Sequence, residues 1–380
     1  MCGCTTGPFN KAINSSAGSF SYLSPAFCSS TIQLFYMQPS LVRKFKTLGL
    51  ICCLTSFAGV IFQLISEQRL DYHSVLVGLP LGLIFGVLEL FLFKSGNLFR
   101  RWPFTKIILF KAVLYTVIVY AVTAVIAGML GLLEGHTLSE TPDFLLAREQ
   151  LILVMYSLVM YCLLLFILQI NNLLGEGVLW KFIRGKYHKP REEERIFMFL
   201  DMKSSTAIAE RLGHVRFYTL LNELFHEISR PVLQTKAEIY QYIGDEVVLT
   251  WEMEHGLQNS NCLKIFFMFQ ENLLRNSGNY VKNFGVKPEF KAGLHFGKVI
   301  SAQIGDLKRE IVYNGDVLNT TARIQSECNK YQRSCLVSGA LMNRLKEING
   351  YQWERMDAVT LRGKETEVEL FSVINVSGLS

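Results

Sequence analysis

The chain has 380 residues, of which 50% are apolar and 18% charged, and its formal net charge is +6. Soluble globular proteins carry about 25% charged residues, and this composition excludes a disordered, collagen-like or disulfide-scaffold chain. Residues 1–180 hold 19 charged side chains, whereas residues 181–380 hold 51. The excess charge is +3 in each half, so no concentrated basic patch points to nucleic acid. The N-terminal half has the composition of a membrane segment, and the C-terminal half that of a soluble domain.

Residues 1–40 are rich in Ser, Gly, Thr and Cys and lack the basic start and compact apolar block of a secretory signal. We expect a cytoplasmic N-terminal segment here. Met37 begins a short basic lead into the first apolar stretch. We therefore hypothesise that the native start is Met37.

Four apolar stretches follow, each close to the roughly 20 residues that a helix needs to cross a bilayer. They span residues 48–65, 74–93, 107–133 and 151–170. The number of Lys and Arg residues alternates between high and low from one flanking segment to the next. Because basic segments stay on the cytoplasmic side, this pattern places both termini in the cytoplasm. The sequence thus predicts an all-α four-helix transmembrane domain over residues 41–170 of an inner-membrane, multi-pass protein. Its partners would be the lipid bilayer and, as an open alternative, an unknown membrane or extracytoplasmic ligand.

Two charged residues, Glu89 and Lys111, fall within these stretches at the same depth. The ordinary interpretation is that each side chain reaches back to the membrane interface. The alternative is that the two form an ion pair.

The connector, residues 171–193, alternates apolar residues with glycines and ends any helix at Pro190. It is either a simple tether or a dimeric element that couples the membrane helices to the following domain.

The soluble half begins with an apolar run that predicts a buried strand ending at Asp201. A Ser/Thr-rich turn and an amphipathic pattern then predict a helix. A carboxylate at a strand end beside a free helix N-terminus suits a metal ion bound together with a phosphate. Further on, two β-rich runs flank Gly244-Asp245, so Asp245 is expected at a hairpin tip. Two carboxylates plus substrate phosphates commonly hold Mg²⁺.

Residues 290–305 are interpreted as two strands around His295–Gly297. A strand then enters Gly315, and the helix leaving it carries Asn319 and Arg323, which are four residues apart and share a face. Such a pair can hold a sugar oxygen and a phosphate together. Finally, residues 359–373 predict a hairpin with Arg362 and Lys364 at its turn, and a basic turn of this kind can reach a polyphosphate.

In this order, five motifs resemble those of the class III nucleotide cyclase catalytic domain over about residues 193–375: FLDMKSSTAIAERLG, YQYIGDEVVLTW, KAGLHFGKV, GDVLNTTARI and LRGK. The four-span lead-in resembles bacterial membrane-anchored members. The resemblance implies that residues 194–375 form a ferredoxin-like α/β domain, with a mainly antiparallel sheet and helices on one side. It also implies a head-to-tail homodimer with active sites at the subunit interface.

The resemblance further implies a role for each matching residue. Asp201 and Asp245 would bind two Mg²⁺ or Mn²⁺ ions, and Asn319 and Arg323 of the opposite subunit would orient the ribose and stabilise the transition state. Lys364, or Arg362, would meet the terminal phosphates of the nucleoside triphosphate. The triphosphate would be cradled by the loop residues Lys203, Ser204, Ser205 and Thr206. The reaction would convert ATP to 3′,5′-cyclic AMP and pyrophosphate without a protein nucleophile.

The chain departs from the family where the base is read, because Gln241 and Val312 occupy the two positions that usually distinguish adenine from guanine. A Gln amide both donates and accepts hydrogen bonds and can pair with either purine. ATP is favoured as the commoner substrate among bacterial relatives, and a guanylate cyclase using GTP is the alternative. A catalytically weak sensor that only dimerises through a cyclase-like domain is a second alternative. A diguanylate cyclase is disfavoured because Gly244-Asp245-Glu246 lacks the first glycine of its motif, and a transporter because the spans offer no polar path.

Overall fold

A computed structural model describes residues 39–66, 73–93, 102–133, 148–175, 178–345, 350–356, 358–360 and 367–376. Residues 47–380 form one compact unit and residues 1–46 another. Of the smaller unit, the structure describes only residues 39–46, at the start of the first helix. The predicted N-terminal segment before them, with the hypothesised start at Met37, lies outside the described residues.

Four long helices precede the soluble domain, in the order in which the apolar stretches predict them. They are α1 (Pro39–Ser66), α2 (His73–Val87, continuing as a π-helical segment over Leu88–Phe93), α3 (Phe104–Leu133) and α4 (Arg148–Leu174). Two stretches, Thr47–Ile65 and Thr105–Ile126, are long and apolar enough to cross a bilayer by length and composition. The apolar stretches of α2 and α4, Val77–Phe91 and Ile152–Ile167, are shorter. Two candidate spans are therefore found among the described residues, and the four-span topology stays a prediction.

The two charged residues within the apolar helices form an ion pair. Lys111 Nζ donates hydrogen bonds to both carboxylate oxygens of Glu89, at 2.6 and 2.8 Å. The hydroxyl of Tyr115 donates to the same carboxylate at 3.4 Å. Of the two interpretations of these charges, the structure supports the pair, which ties the segment after α2 to α3.

The soluble half is built on one eight-stranded sheet. Its strands are β1 (Arg191–Met202), β2 (Glu238–Ile243), β3 (Glu246–Glu252), β4 (Phe290–Ile304), β5 (Glu310–Asn314), β6 (Cys335–Ser338), β7 (Tyr351–Arg355) and β10 (Leu370–Asn375). The order is β2-β3-β1-β4-β6-β10-β7, with β5 paired to β4. All neighbours are antiparallel except β4 and β6, which confirms the mainly antiparallel sheet. The short strands β8 (Val359–Thr360) and β9 (Glu367–Val368) pair separately and confirm the predicted C-terminal hairpin.

Helices cover both faces of this sheet, which corrects the expectation of helices on one side. They are α5 (Val178–Ile183), α6 (Ser205–Leu212), α7 (His214–Gln234), α8 (Met253–Leu257), α9 (Asn261–Arg275), α10 (Ser277–Phe284), α11 (Asp316–Lys330) and α12 (Gly339–Met342). In β1, Ile196 and Met198 pack with α7 and α9, whereas Phe197 packs with α11 on the other face. Because side chains alternate along a strand, the apolar run Ile196–Leu200 within β1 must be covered on both faces.

The β4 strand is a single 15-residue strand, so the predicted turn at His295–Gly297 is wrong. The glycines there serve the packing of a helix. A Cβ atom on Gly293 would lie 2.3 Å from the backbone nitrogen of Gln325, and one on Gly297 would lie 3.2 Å from Val317 Cβ. The missing side chains therefore let α11 lie directly on the strand.

The connector is held to the soluble domain by ion pairs at the base of the β2–β3 hairpin. Lys181 Nζ lies 2.6 Å from Glu238 Oε1, and Lys186 Nζ lies 3.1 Å from Glu252 Oε1. Burial would raise the pKa of Glu252, but the hydrogen bond with Lys186 and the charges of both lysines outweigh it and lower the pKa to about 2. The connector is thus fastened to the same hairpin that carries Asp245 at its opposite end.

Candidate active site

Asp201 lies at the end of β1, opposite Lys291 of β4 in the sheet register. Lys291 Nζ is 3.1 Å from Asp201 Oδ2, and Gln325 Nε2 donates a hydrogen bond to the same oxygen at 2.9 Å. Lys291 is 8% exposed. The carboxylate predicted from the strand-end motif is therefore held by two side chains that lie far away in the sequence.

Asp245 lies at the tip of the β2–β3 hairpin, next to Gly244 in its left-handed conformation (φ 64°). Because β3 pairs with β1 through Leu200 and Val247, the tip falls beside the end of β1. The Asp245 carboxyl group lies close enough to Asp201 to be affected by its charge. Burial raises the pKa of Asp245, Asp201 adds to the rise, and a hydrogen bond with Ser205 opposes it. The two predicted aspartates are thus brought together.

Glu246 adds a third carboxylate to this cluster. Burial and the charges of Asp201 and Asp245 raise its pKa to about 7, and the positive charge of Lys291 opposes the rise. Three acidic groups with one buried lysine form a site with unbalanced negative charge, which fits a cation. No group of three or more His, Cys, Asp or Glu side chains among the described residues could hold a metal ion by itself. The site therefore suits a hard cation completed by phosphate and water oxygens.

The loop between β1 and α6 borders the aspartates. Ser205 bonds Asp245, and Ser204 takes a left-handed conformation (φ 56°) without a side-chain cap bond to the helix. Lys203 Nζ lies 3.4 Å from Glu289 Oε2, and Thr206 is exposed in the first turn of α6. Because the first amides of a helix have no partner within the helix, this turn offers donors beside the carboxylate cluster.

Asn319 and Arg323 lie on α11, but away from the aspartates of their own chain. Asn319 is exposed and Arg323 half-buried. Within the described parts of the chain, neither side chain has a hydrogen bond or an ion pair. The helix face toward Asp201 is occupied by Gln325 instead. One chain alone does not bring the pair to the carboxylate cluster.

The two positions predicted to read the base lie on strands β2 and β5. Gln241 is exposed on β2, just after an irregularity in the pairing with β3, and Val312 is half-buried on β5. The adjacent residues Tyr240 and Tyr313 connect the two strands, because the Tyr240 hydroxyl accepts a hydrogen bond from the Tyr313 amide at 3.3 Å.

Arg362 and Lys364 lie outside the described residues. The sequence also missed Lys291 and Glu246 as members of the cluster. Glu246 could have been predicted from its position directly after Asp245. Lys291 could not have been predicted, because only the pairing of β1 with β4 places it beside Asp201.

Comparisons with known proteins agree with this geometry. The family model for the adenylate and guanylate cyclase catalytic domain matches residues 187–375. Adenylate cyclase 2 of Rhizobium meliloti (strain 1021) is 30% identical over 343 residues, covering 87% of this chain and 91% of that protein. Adenylate cyclase 1 of the same strain is 24% identical over 48% of this chain and 28% of its own length.

Among solved structures, a bacterial light-regulated adenylyl cyclase matches 60% of this chain and 66% of its own, with a TM-score of 0.51 and 18% identity. At this identity the match shows a shared fold. The relative that is 30% identical along most of both chains, together with the family model over the soluble half, shows common descent as well. The chain therefore belongs to the class III adenylate and guanylate cyclase family of enzymes.

Proposed function

We propose that the protein is a membrane-anchored adenylate cyclase that converts ATP to 3′,5′-cyclic AMP and pyrophosphate in two sites shared between the subunits of a homodimer. One observation carries this proposal. Asp201 and Asp245 converge within one chain, whereas the side chains of Asn319 and Arg323, on the far side of α11, have no hydrogen bond or ion pair with any described residue. A head-to-tail second subunit would bring its own Asn319 and Arg323 to the aspartates.

The acidic side chains of the site are proposed to bind metal ions, and the hydrogen-bond donors and basic side chains are proposed to bind phosphates. Asp201 and Asp245 would hold two Mg²⁺ or Mn²⁺ ions, which would supply positive charge to lower the pKa of the ribose 3′-hydroxyl and to neutralise the triphosphate. The amides of residues 204–206 and the Lys203 side chain bind the phosphates, and buried Lys291 places a fixed positive charge beside them. Arg362 and Lys364 bind the terminal phosphates.

The second subunit completes the reaction geometry. Its Asn319 orients the ribose so that the 3′-oxygen lies in line with the α-phosphorus. Its Arg323 stabilises the negative charge that grows on the α-phosphoryl oxygens as pyrophosphate leaves. No side chain forms a covalent bond with the substrate, so catalysis depends on position and charge.

ATP is proposed as the substrate, with Gln241 and Val312 contacting the adenine. The amide of Gln241 can donate to a ring nitrogen of adenine and accept from its amino group. The relative that is 30% identical along most of both chains is an adenylate cyclase, which supports ATP over GTP.

The four N-terminal helices are proposed to cross the membrane four times, with the catalytic domain and both termini in the cytoplasm. The alternation of Lys and Arg between the connecting segments supports this topology. Labelling of single cysteines at residues 70, 97 and 140 in intact cells tests it. Residues 70 and 140 should react with an impermeant reagent and residue 97 should not. The opposite pattern would invert the topology.

Mixing of inactive subunits tests the shared site. Asp201→Asn and Arg323→Ala should each abolish activity as homodimers, and a purified heterodimer of the two should regain up to half of the wild-type turnover, because one complete site remains. Glu254→Gln, an exposed carboxylate of α8, is the matched control and should stay fully active. No recovery in a verified heterodimer would contradict a site built from two subunits.

A further inference from the structure

The Asp201 carboxylate is held by a side chain that enters the site from α11. Gln325 is 6% exposed, and its Nε2 donates to Asp201 Oδ2 at 2.9 Å. Lys291 Nζ reaches the same oxygen at 3.1 Å and donates to Asn329 Oδ1, also on α11, at 3.2 Å. Two donors therefore occupy Oδ2 and leave Oδ1 as the oxygen available to a cation.

The backbone of α11 fixes where Gln325 lies. The helix contacts β4 so closely at Gly293 that a Cβ there would come within 2.6 Å of the Gln325 Cα atom. Thr321, one turn earlier, is fully buried, and its hydroxyl donates a hydrogen bond to the Val317 carbonyl at 2.7 Å. A helix held this tightly cannot shift or rotate without moving the Gln325 amide off the carboxylate.

Helix α11 also carries Asn319 and Arg323, the side chains proposed to act in the active site of the other subunit. Gln325 lies two residues beyond Arg323, so the two side chains project about 200° apart around the helix axis. The amide adds a hydrogen-bond donor without adding charge, whereas a second lysine here would compete with a metal ion for the carboxylate.

We propose that Gln325 is a positioning residue that orients the Asp201 carboxylate of its own subunit for metal binding, while its helix presents Asn319 and Arg323 to the partner's site. This inference rests on the proposed function. It assigns α11 to both sites of the dimer at once, through opposite faces.

Direct metal binding tests the role of Gln325 without requiring turnover. Mn²⁺ is titrated into full-length protein in detergent with a non-reactive ATP analogue, and free Mn²⁺ is followed by electron paramagnetic resonance. Gln325→Met keeps the length of the side chain but removes the donor, and should weaken Mn²⁺ binding about tenfold or more, as loss of a residue that orients a metal ligand does. Thr321→Val, buried on the same helix, is the matched control and should leave Mn²⁺ binding unchanged. A lowered melting temperature with normal Mn²⁺ affinity in Gln325→Met would overturn the proposal.

The heterodimer assigns the effect to one subunit. When an Arg323→Ala subunit is paired with an Asp201→Asn subunit, the complete site uses the aspartates of the first and Arg323 of the second. Gln325→Met in the first subunit should raise the Mn²⁺ concentration for half-maximal activity about tenfold, and the same change in the second should not. An equal shift in both arrangements, or none in either, would overturn the inference. An inactive parent heterodimer would contradict the proposed function instead, and the Mn²⁺ titration would still decide the role of Gln325.

Discussion

The N-terminal helices and the catalytic domain are organised in opposite ways. In the helices, large apolar side chains point outward, such as Phe57, Leu109, Val117 and Phe166, each more than 60% exposed. Polar side chains lie inside them, including Gln63, Lys111 and Thr123. Only 17% and 22% of the two candidate spans is buried, unlike the core helix of a soluble protein. The catalytic domain places its apolar residues inside. The outward-facing apolar side chains of the helices fit a lipid environment and support the proposed membrane location, whereas the catalytic domain buries its apolar residues away from water.

The largest expected effect is a loss of turnover from one substitution in the catalytic domain, without a loss of stability. Asp201→Asn removes a proposed metal ligand and should lower turnover by about 10³-fold, corresponding to several kcal/mol of lost transition-state stabilisation. The melting temperature of the protein in detergent should change little, because relief of repulsion within the carboxylate cluster offsets the loss of the ion pair with Lys291. Initial rates with ATP and Mg²⁺, together with thermal melting, measure both. A variant that is inactive only because it unfolds at a lower temperature would contradict a catalytic role for Asp201.

A second effect concerns the buried charge of the catalytic domain. Arg195 is fully buried, bonds Glu238 at 2.7 Å and lies 4.7 Å from the centre of the Tyr313 ring. Arg195→Met should destabilise the domain by about 1.5–3 kcal/mol, because it removes charge-assisted hydrogen bonds from the half-buried Glu238, which keeps its ion pair with Lys181. Chemical denaturation followed by tryptophan fluorescence measures this. Lys298→Met, which breaks an exposed pair with Glu192, is the control and should change little.

The corresponding pair in the helices should be weaker. Glu89→Gln and Lys111→Met, made singly and together, form a double-mutant cycle. Their coupling should be about 1 kcal/mol, since polar contacts between membrane helices are worth modest energies. Thermal melting in detergent measures the three variants. Additive losses would show that the 2.6 Å contact contributes nothing to stability.

The smallest effect is a pH dependence of the metal-free catalytic site. The folded state raises the pKa of Glu246 to about 7, so it binds more protons than the unfolded chain between about pH 4.5 and 7. The free energy of unfolding in EDTA should therefore fall as pH rises through this window. Glu246→Gln should remove about 1 kcal/mol of that fall, because the carboxyl is only partly buried and its charge is screened. Addition of Mg²⁺ should restore stability at pH 8. A pH profile that Glu246→Gln does not change would contradict the assignment.

The sequence predicts those features of the fold and the site that depend on residues close together in the chain. A buried strand ending at Asp201, a hairpin tip at Asp245 and a helix with Asn319 and Arg323 on one face all follow from local periodicity and turn chemistry. Lys291 and Gln325 reach Asp201 only through the β1–β4 register and the packing of α11, and no local pattern reveals either. The glycines of β4 were interpreted as a turn because close approach of a distant helix and a chain reversal demand the same residue. The Glu89–Lys111 pair stayed open for a similar reason, since equal depth in the membrane does not establish contact.

The central claim is that the catalytic domain cyclises ATP with the help of divalent metal ions. Purified full-length protein in detergent should be incubated with ATP or GTP, with Mg²⁺, Mn²⁺ or EDTA, and the products separated by chromatography. We predict that ATP yields 3′,5′-cyclic AMP and pyrophosphate in equal amounts. The products should form only when metal is present, and they should not form with the Asp245→Asn variant. Cyclic GMP as the main product would contradict the proposed substrate, and no cyclic product from either nucleotide in well-folded, dimeric protein would contradict the proposed activity.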